Sequence, residues 1–285
     1  MDVSVIIVNY NTLQMTKDCI DSVIEKTTDV EYEIILVDNA STDGSREFFK
    51  NYRGITYIYN EKNLGFGAAN NTGAKTSTGD FLFFLNSDTL FKNNALLIFY
   101  RSYASNTLNN IGFLGCELVD AHGEINGSGS KFPSIIRELL TICRLNIFLK
   151  KRIGQTKKPY PIDYVLGADM FVSRHLFEKL HGFDEQFFMY YEESDLQKRS
   201  VSIGYLNYII DGPIIIHLEG KSSNGLTLNK RLMINNSKFK YFKKHNDSLS
   251  YFVFRFIYAL LGLRVLISKR LSIREKNVYV KSLLK

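Results

Sequence analysis

The chain has only three cysteines, Cys19, Cys116 and Cys143, and they stand far apart with no CxxC pair. That spacing excludes a structural zinc site and a disulfide framework, and predicts buried thiols in a reducing compartment. Prolines number four in 285 residues, and 23% of the chain is charged, which is ordinary for a soluble globular protein large enough to bury a proper core. No basic segment and no small-residue cleavage site precede Val3–Val8, which reads as a first strand, so the expectation is a cytoplasmic protein. Gly220-Lys221-Ser222 lacks the upstream glycine of a Walker loop. RNA-binding and helix-turn-helix signatures are missing as well. The net charge of +7 is crowded into 131–158 and 238–285. This asymmetry predicts an anionic lipid surface as partner, with no nucleic acid. Long apolar runs are scarce too. Tyr251–Ile267 is barely long enough to span a bilayer and is interrupted by Arg255 and Arg264, so it reads as an amphipathic helix in a membrane interface, its arginines snorkelling, or as a contact between copies of the chain.

What is present is organised around Asp80–Asp88. Phe81–Leu85 is a continuous apolar run, long enough for a strand buried on both faces, and it stops at Asn86-Ser87-Asp88. In an open α/β sheet, ligands bind beyond the carboxyl ends of the strands. A carboxylate there can hold a divalent cation that takes phosphate oxygens as further ligands. The same three residues also suit a turn and a helix cap.

The first ninety residues alternate strand and helix. Val3–Val8, Glu33–Val37, Ile55–Tyr59 and Phe81–Leu85 are strands; Leu13–Lys26, a short helix ending at Phe49 and the Gly- and Asn-rich 63–75 lie between them. Alternation of this kind predicts parallel pairing with right-handed crossovers, a Rossmann-like half. Asn9-Tyr10-Asn11, Asp38-Asn39 and Asn86-Ser87-Asp88 would then converge at one sheet edge beside Asn63-Leu64-Gly65-Phe66-Gly67, forming a nucleotide-sized site. As a dinucleotide fingerprint Gly65-Phe66-Gly67-Ala68-Ala69-Asn70 is weak, because it ends in Asn and follows the third strand. Further on, a helix is expected over 94–103 and a strand over 111–116. The apolar, basic-ended segment 131–163 reads as a flap, a membrane-facing helix or an ordinary surface helix. Tyr164–Val172 is expected as one strand with Gly167-Ala168-Asp169 inside it, where Gly marks close backbone approach. Glu192, Glu193 and Asp195 open a helix, favourable to its dipole, or supply a general base whose pKa is raised by repulsion and burial. His217 ends the last strand, as a structural residue or a metal ligand.

These pieces, in this order, resemble the family 2 inverting glycosyltransferases of the GT-A fold, especially the bacterial rhamnosyltransferase-like branch. The resemblance rests on Val5–Asn11, Val37–Ser45, Asn63–Gly67 through Asn71, Leu85–Asp88, Gly167–Met170, Gly182–Glu185, and Glu192–Leu196 with Arg199, so it covers about residues 3 to 223. It implies an α/β, nucleotide-diphospho-sugar transferase fold with a mostly parallel central sheet flanked by helices: a domain over 1–235, with a nucleotide-sugar-binding half (1–120) and an acceptor half (160–225), followed by a basic helical tail (236–285). Asp38 would contact the base of a dTDP- or UDP-sugar donor, with Asn9 and Asn11 nearby. Asn63, Gly65 and Asn71 would line the nucleoside and diphosphate, with Asn86 and Ser87 alongside. Asp88 matches the last carboxylate of the family's Asp-x-Asp motif and would bind Mn²⁺ or Mg²⁺; Asn86 replaces the first, and His217 would complete the shell. The family's base is usually the second acid of a Glu-Asp pair, here Glu193, with Glu192 and Asp195 as substitutes. Asp184, Glu185 and Gly167 would border the acceptor. The reaction implied is transfer of a sugar, rhamnose first among candidates, to a lipid-linked or polysaccharide acceptor in bacterial surface glycan synthesis, at the inner face of the cell membrane. Two alternatives are a non-catalytic binding subunit of the same fold and a nucleotidyltransferase. The latter needs a Gly-rich basic signature after the first strand, and Tyr10–Leu13 offers none.

Overall fold

The computed structural model describes residues 1–105, 107–143, 158–218, 227–267 and 272–284. The first stretch runs β1 (Val3–Asn9), α1 (Leu13–Lys26), β2 (Tyr32–Asp38), α2 (Ser45–Phe49), β3 (Thr56–Tyr59), α3 (Phe66–Thr76) and β4 (Phe81–Asn86). There follow β5 (Thr89–Phe91), α4 (Ala95–Ala104), β6 (Ile111–Gly115), β7 (Leu118–Val119), β8 (Ile125–Gly127), β9 (Gly129–Ser130) and α5 (Ile135–Ile142). The second half carries β10 (Tyr160–Ile162), β11 (Tyr164–Val165), β12 (Asp169–Ser173), α6 (Arg174–Lys179), α7 (Glu192–Ser202), β13 (Leu206–Ile209) and β14 (Ile215–His217). Helices α8 (Leu228–His245), α9 (Ser248–Gly262) and α10 (Ile273–Leu284) close the chain, with a 3₁₀ turn over Leu263–Ile267.

One eight-stranded sheet has the order β10-β13-β6-β12-β4-β1-β2-β3. The β4-β1-β2-β3 portion is parallel, as strand–helix alternation requires. Period-2 side-chain alternation divides the apolar strands between two cores. Phe83 and Leu85 of β4 enter the core under α1 and α4, with Cys19, Ile20 and Phe99; Leu82 and Phe84 enter the opposite core, with Phe177, Phe183 and Leu196. The fold is the GT-A α/β arrangement.

One expectation is corrected here. The single strand expected over 164–172 is two: β11 pairs with β9, while β12 inserts antiparallel between β4 and β6, so the segment around Gly167 changes sheets. The 1–120 and 160–225 halves share one sheet, because β12 bonds directly to β4. A second sheet, β5-β14-β7-β8, was not anticipated; its strands are two or three residues long, too short for a periodic signal.

The boundary expected at 235/236 falls inside α8, which continues unbroken. The tail helices build a third core of Phe239, Tyr241, Phe242, Phe254, Tyr258 and Leu283, which also takes Phe187 and the inner face of α5. Arg255, expected at a membrane surface, turns inward: its guanidinium lies 3.9 Å from the Phe239 ring centroid and donates to the Leu283 carbonyl at 2.9 Å. Cation–π attraction and a backbone acceptor outweigh snorkelling at that position. The basic run at 150–152 and the Gly220-Lys221-Ser222 loop lie outside the described residues.

Candidate active site

Register brings the predicted polar strand ends together. Asn9 lies opposite Asp38 across β1 and β2, and Val8 opposite Asn86 across β1 and β4. The Asn9 side chain is buried and fully engaged: Oδ1 accepts from the hydroxyls of Thr12 (2.8 Å) and Thr16 (2.9 Å), and Nδ2 donates to Ser41 (3.1 Å). It therefore ties β1 to the loop after β2. Asn11, at φ +55°, accepts from the Thr42 N–H at 2.7 Å. Asp38 is buried and accepts from the Ser41 N–H (2.8 Å) and the Tyr57 hydroxyl (2.9 Å). Burial and the Asp38 charge push the Tyr57 hydroxyl well above its ordinary value, so it stays a donor. Asn39 donates to Asn63 at 2.9 Å, and Asn63 accepts from the Gly65 N–H at 2.9 Å. Gly65 sits at φ +86°, and a Cβ there would lie 2.1 Å from the Phe188 carbonyl oxygen, so only glycine fits. Ser87 Oγ is 3.2 Å from Thr12 Oγ1. The polar strand ends thus form one hydrogen-bonded cluster along the edge of the sheet. Asn39, Thr12, Ser41 and Tyr57 complete it without having been singled out as site residues; only the position of Asn39 beside Asp38 signalled any of them.

Asp88 follows β4, and its carboxylate oxygen lies 3.3 Å from Nε2 of His217 at the end of β14. The antiparallel β14–β5 pairing, with His217 opposite Thr89, makes the meeting obligatory. A carboxylate and an imidazole suit Mn²⁺. Among the described residues, no group of three or more His, Cys, Asp or Glu side chains could hold a metal. Asp88 and His217 are thus two side chains that could contribute to holding a divalent metal.

Glu192 and Glu193 begin α7, directly after Tyr190 and Tyr191, both left-handed at φ +69° and +71°. Two successive non-glycine residues in that region are strained, and such strain clusters at functional sites. Tyr191 is held by its hydroxyl contact to Glu138 (3.2 Å) and by packing on Tyr241. The turn aims the two acids to either side of the start of α3. Glu192 packs beside Gly67 and Glu193 beside Gly167, which also faces the Phe66 ring. One oxygen of each carboxyl is buried with no hydrogen-bond partner. Burial raises the pKa of both, and repulsion from Glu193 raises Glu192 further. A carboxyl raised in this way is a stronger base than an ordinary glutamate.

Two expected roles are corrected. Asp195 is fully buried in a cation cage: Arg199 Nε at 2.9 Å, Lys244 Nζ at 2.8 Å and His245 Nε2 at 2.8 Å. Burial alone would push it up, but the hydrogen bond from His245 and the charges of Arg199 and Lys244 outweigh that and hold it at about 2. So weak a base, so enclosed, is structural. Asn71 is consumed by the segment ahead of α7: it accepts from the Phe183 N–H (2.9 Å) and donates to the Phe183 carbonyl (2.9 Å) and to Glu185 (3.0 Å). Asp184 is held by Lys244 at 2.6 Å. Asn71 therefore fixes the approach to α7 rather than lining the strand ends, while Asp184 and Glu185 lie on that approach.

A model of the family described as Glycosyl transferase family 2 matches residues 4–180. The chain belongs to that family. The match takes in the strand ends and Asp88 and stops short of α7. Among relatives, the poly(ribitol-phosphate) beta-glucosyltransferase of Bacillus spizizenii is 35% identical over 107 residues, 35% of this chain and 17% of that protein. The N-acetylglucosaminyl-diphospho-decaprenol L-rhamnosyltransferase of Mycobacterium tuberculosis is 24% identical over 217 residues, 69% of each chain. Matches to the first two relatives span only about a fifth of their length, 17% and 21%. Among solved structures, a mannosyltransferase from Pyrobaculum calidifontis in complex with GDP-mannose and Mn²⁺ superposes with TM-score 0.59 at 15% identity, covering 99% of this chain and 85% of that one. Family 2 glycosyltransferases with roles in bacterial surface glycan synthesis are thus among its relatives.

Proposed function

We propose that the chain is an inverting glycosyltransferase. It moves a sugar from a nucleoside-diphosphate donor to a lipid-linked or polysaccharide acceptor of a bacterial surface glycan at the inner face of the cell membrane. The observation that carries this is the pairing of a hydrogen-bonded polar cluster at the ends of β1, β2 and β4 with two raised carboxyls across α3. The first names a site for a nucleotide, and the second a base for an acceptor hydroxyl. Asp38, Asn11, Asn63, Gly65, Asn86 and Ser87 border the donor. Asp88 and His217 would hold Mn²⁺ or Mg²⁺, which when bound offsets the charge on the departing diphosphate. Glu193 takes the proton from the acceptor hydroxyl as that oxygen bonds to the anomeric carbon; the bond from that carbon to the diphosphate oxygen breaks on the opposite face, inverting the centre. Burial holds Glu193 above the ordinary glutamate value, and its charge pushes the neighbouring Glu192 up further. Gly167 leaves room for the acceptor next to Glu193. A dTDP-rhamnose donor is favoured by the resemblance of the motifs and by the mycobacterial relative.

The test is nucleoside diphosphate release and product formation from dTDP-rhamnose, UDP-glucose and GDP-mannose with a polyprenyl-diphosphate-linked sugar. One donor should support transfer in the wild type. Glu193→Gln should lower kcat about 10²- to 10⁴-fold, the usual contribution of a general base, with the melting temperature unchanged. Full activity in Glu193→Gln would remove the residue from its role.

A further inference from the structure

The outward face of α9 is apolar along its whole length. Leu249, Phe252, Val253, Phe256, Leu260 and Leu263 follow one another at steps of three, one, three, four and three residues. At 100° per residue they occupy a sector about 100° wide. Leu249 is 73% exposed, Phe252 68%, Phe256 60% and Leu260 53%. A continuous face of this kind on a soluble protein marks a surface that something covers.

Ser248–Leu266 is long and apolar enough to cross a membrane by length and composition. The opposite face of the helix argues against a crossing. Phe254 and Tyr258 are buried in the third core, and the Tyr258 hydroxyl meets Lys238 (3.2 Å) and Asn235 (3.0 Å). Lys238 in turn pairs with Glu138 at 2.6 Å. A spanning α9 would have to strip that buried polar network and the Arg255 stack, and put them in hydrocarbon. Lying flat leaves them intact.

Charge decides between the two occupants that could cover a flat apolar face. From residue 227 onward, fourteen lysines and arginines face two acids, Asp247 and Glu275, so that stretch carries +12, more than the whole chain. Lys243 before the stripe, Arg264 at its end, and Arg274 and Lys281 on α10 are exposed. A second copy docked on the same face would bring two such tails together. An anionic bilayer would attract them. We infer that α9 lies in the plane of an anionic membrane, with Leu249, Phe252, Val253, Phe256, Leu260 and Leu263 seated among the acyl chains and the surrounding lysines and arginines on the phosphates. The inference gives the proposed transferase its place of work. The third core that carries α9 also holds Tyr191, the residue just before Glu192. Docking therefore sets the base-bearing helix at a fixed distance from the bilayer in which a lipid-linked acceptor would sit.

The experiment is flotation of the full chain with vesicles of phosphatidylcholine alone or with phosphatidylglycerol added, for wild type and the Phe252→Ser/Phe256→Ser double variant. Both rings are exposed, so the variant should melt with the wild type. Wild type should float with the anionic vesicles, lose binding as salt is raised, and bind neutral ones weakly. The double variant should bind at least about tenfold less, because each buried aromatic contributes more than a factor of ten in partition. Binding that ignores the two substitutions, or no binding at all, overturns the inference. So does a dimer in sedimentation that the double variant dissolves while vesicle binding is unchanged. Flotation needs no donor, so failure of the transfer assay and failure of membrane docking are separately visible.

Discussion

Glu193 owes its raised pKa to burial rather than to a bound partner, and this gives the activity a signed pH dependence. The base must be ionised to accept the acceptor's proton. As pH falls through its raised pKa it protonates and turnover declines, so the acid limb of kcat/KM should lie above the ordinary glutamate range. Glu192 and Glu193 titrate as a pair. Glu192, pushed up further by the charge of Glu193, stays protonated as Glu193 ionises, so Glu192→Gln should leave that limb in place; a limb moved to lower pH would show that Glu192 carries charge there. Residues of this kind are legible in a sequence, because adjacent acids at a helix start are visible in one dimension. Asp195, two positions on, looks the same there. Its partners Lys244 and His245 are 49 and 50 residues away, and nothing short of the fold places them on it.

Those partners join elements as well as charges. The last turn of α8 grips the first turn of α7 through Asp195, while Arg199 donates to the Gly182 carbonyl at 2.8 Å and steadies the loop before the strained Tyr190–Tyr191 turn. Asp195→Asn leaves two or three cations enclosed without their counter-charge. It should cost about 3–5 kcal/mol in chemical denaturation, the usual penalty for removing one partner of a buried pair. The native carboxyl is held below its unfolded value of 3.8, at about 2. Its contribution, about 2 kcal/mol, is therefore present above pH 3.8 and lost as pH falls through 2. The acid-unfolding curve of Asp195→Asn should lack that step, and a curve parallel to wild type would show the cage to be neutral. At this scale the strand–helix alternation of the first ninety residues predicted β1 to β4 and their parallel pairing, since short apolar runs separated by helical patterns state their own structure. The antiparallel insertion of β12 and the small sheet carrying His217 were not legible. Their pairing is decided by long-range register, and several of those strands are only two or three residues long.

Across the whole molecule, three cores follow from three patterns of apolar residues. Two sandwich the sheet and bring its carboxyl edge to one rim; the third belongs to the tail, is roofed by α5, and leaves α9 bare on its outer side. The family match ends at residue 180, before both α7 and the tail, and takes in the polar strand ends. The base, its cation anchor and the apolar stripe belong to the stretch beyond it. The sequence showed the basic, aromatic character of the tail. It did not show that Arg255 turns inward, because that depends on Phe239 and Leu283 being brought beside it by α8 and α10.

The central claim is that Asp88, His217 and the polar strand ends form a standing nucleotide-diphosphate site. Thermal unfolding of the wild type and Asp88→Ala with UDP, dTDP and GDP, each with and without Mn²⁺, tests it most directly. A nucleotide at a hundred times its dissociation constant should add about 2.7 kcal/mol of stability. One nucleotide should raise the melting temperature of the wild type in the presence of Mn²⁺, and Asp88→Ala should lose the metal-dependent part of the rise. No shift with any nucleotide, or an identical metal-dependent shift in Asp88→Ala, would contradict the account.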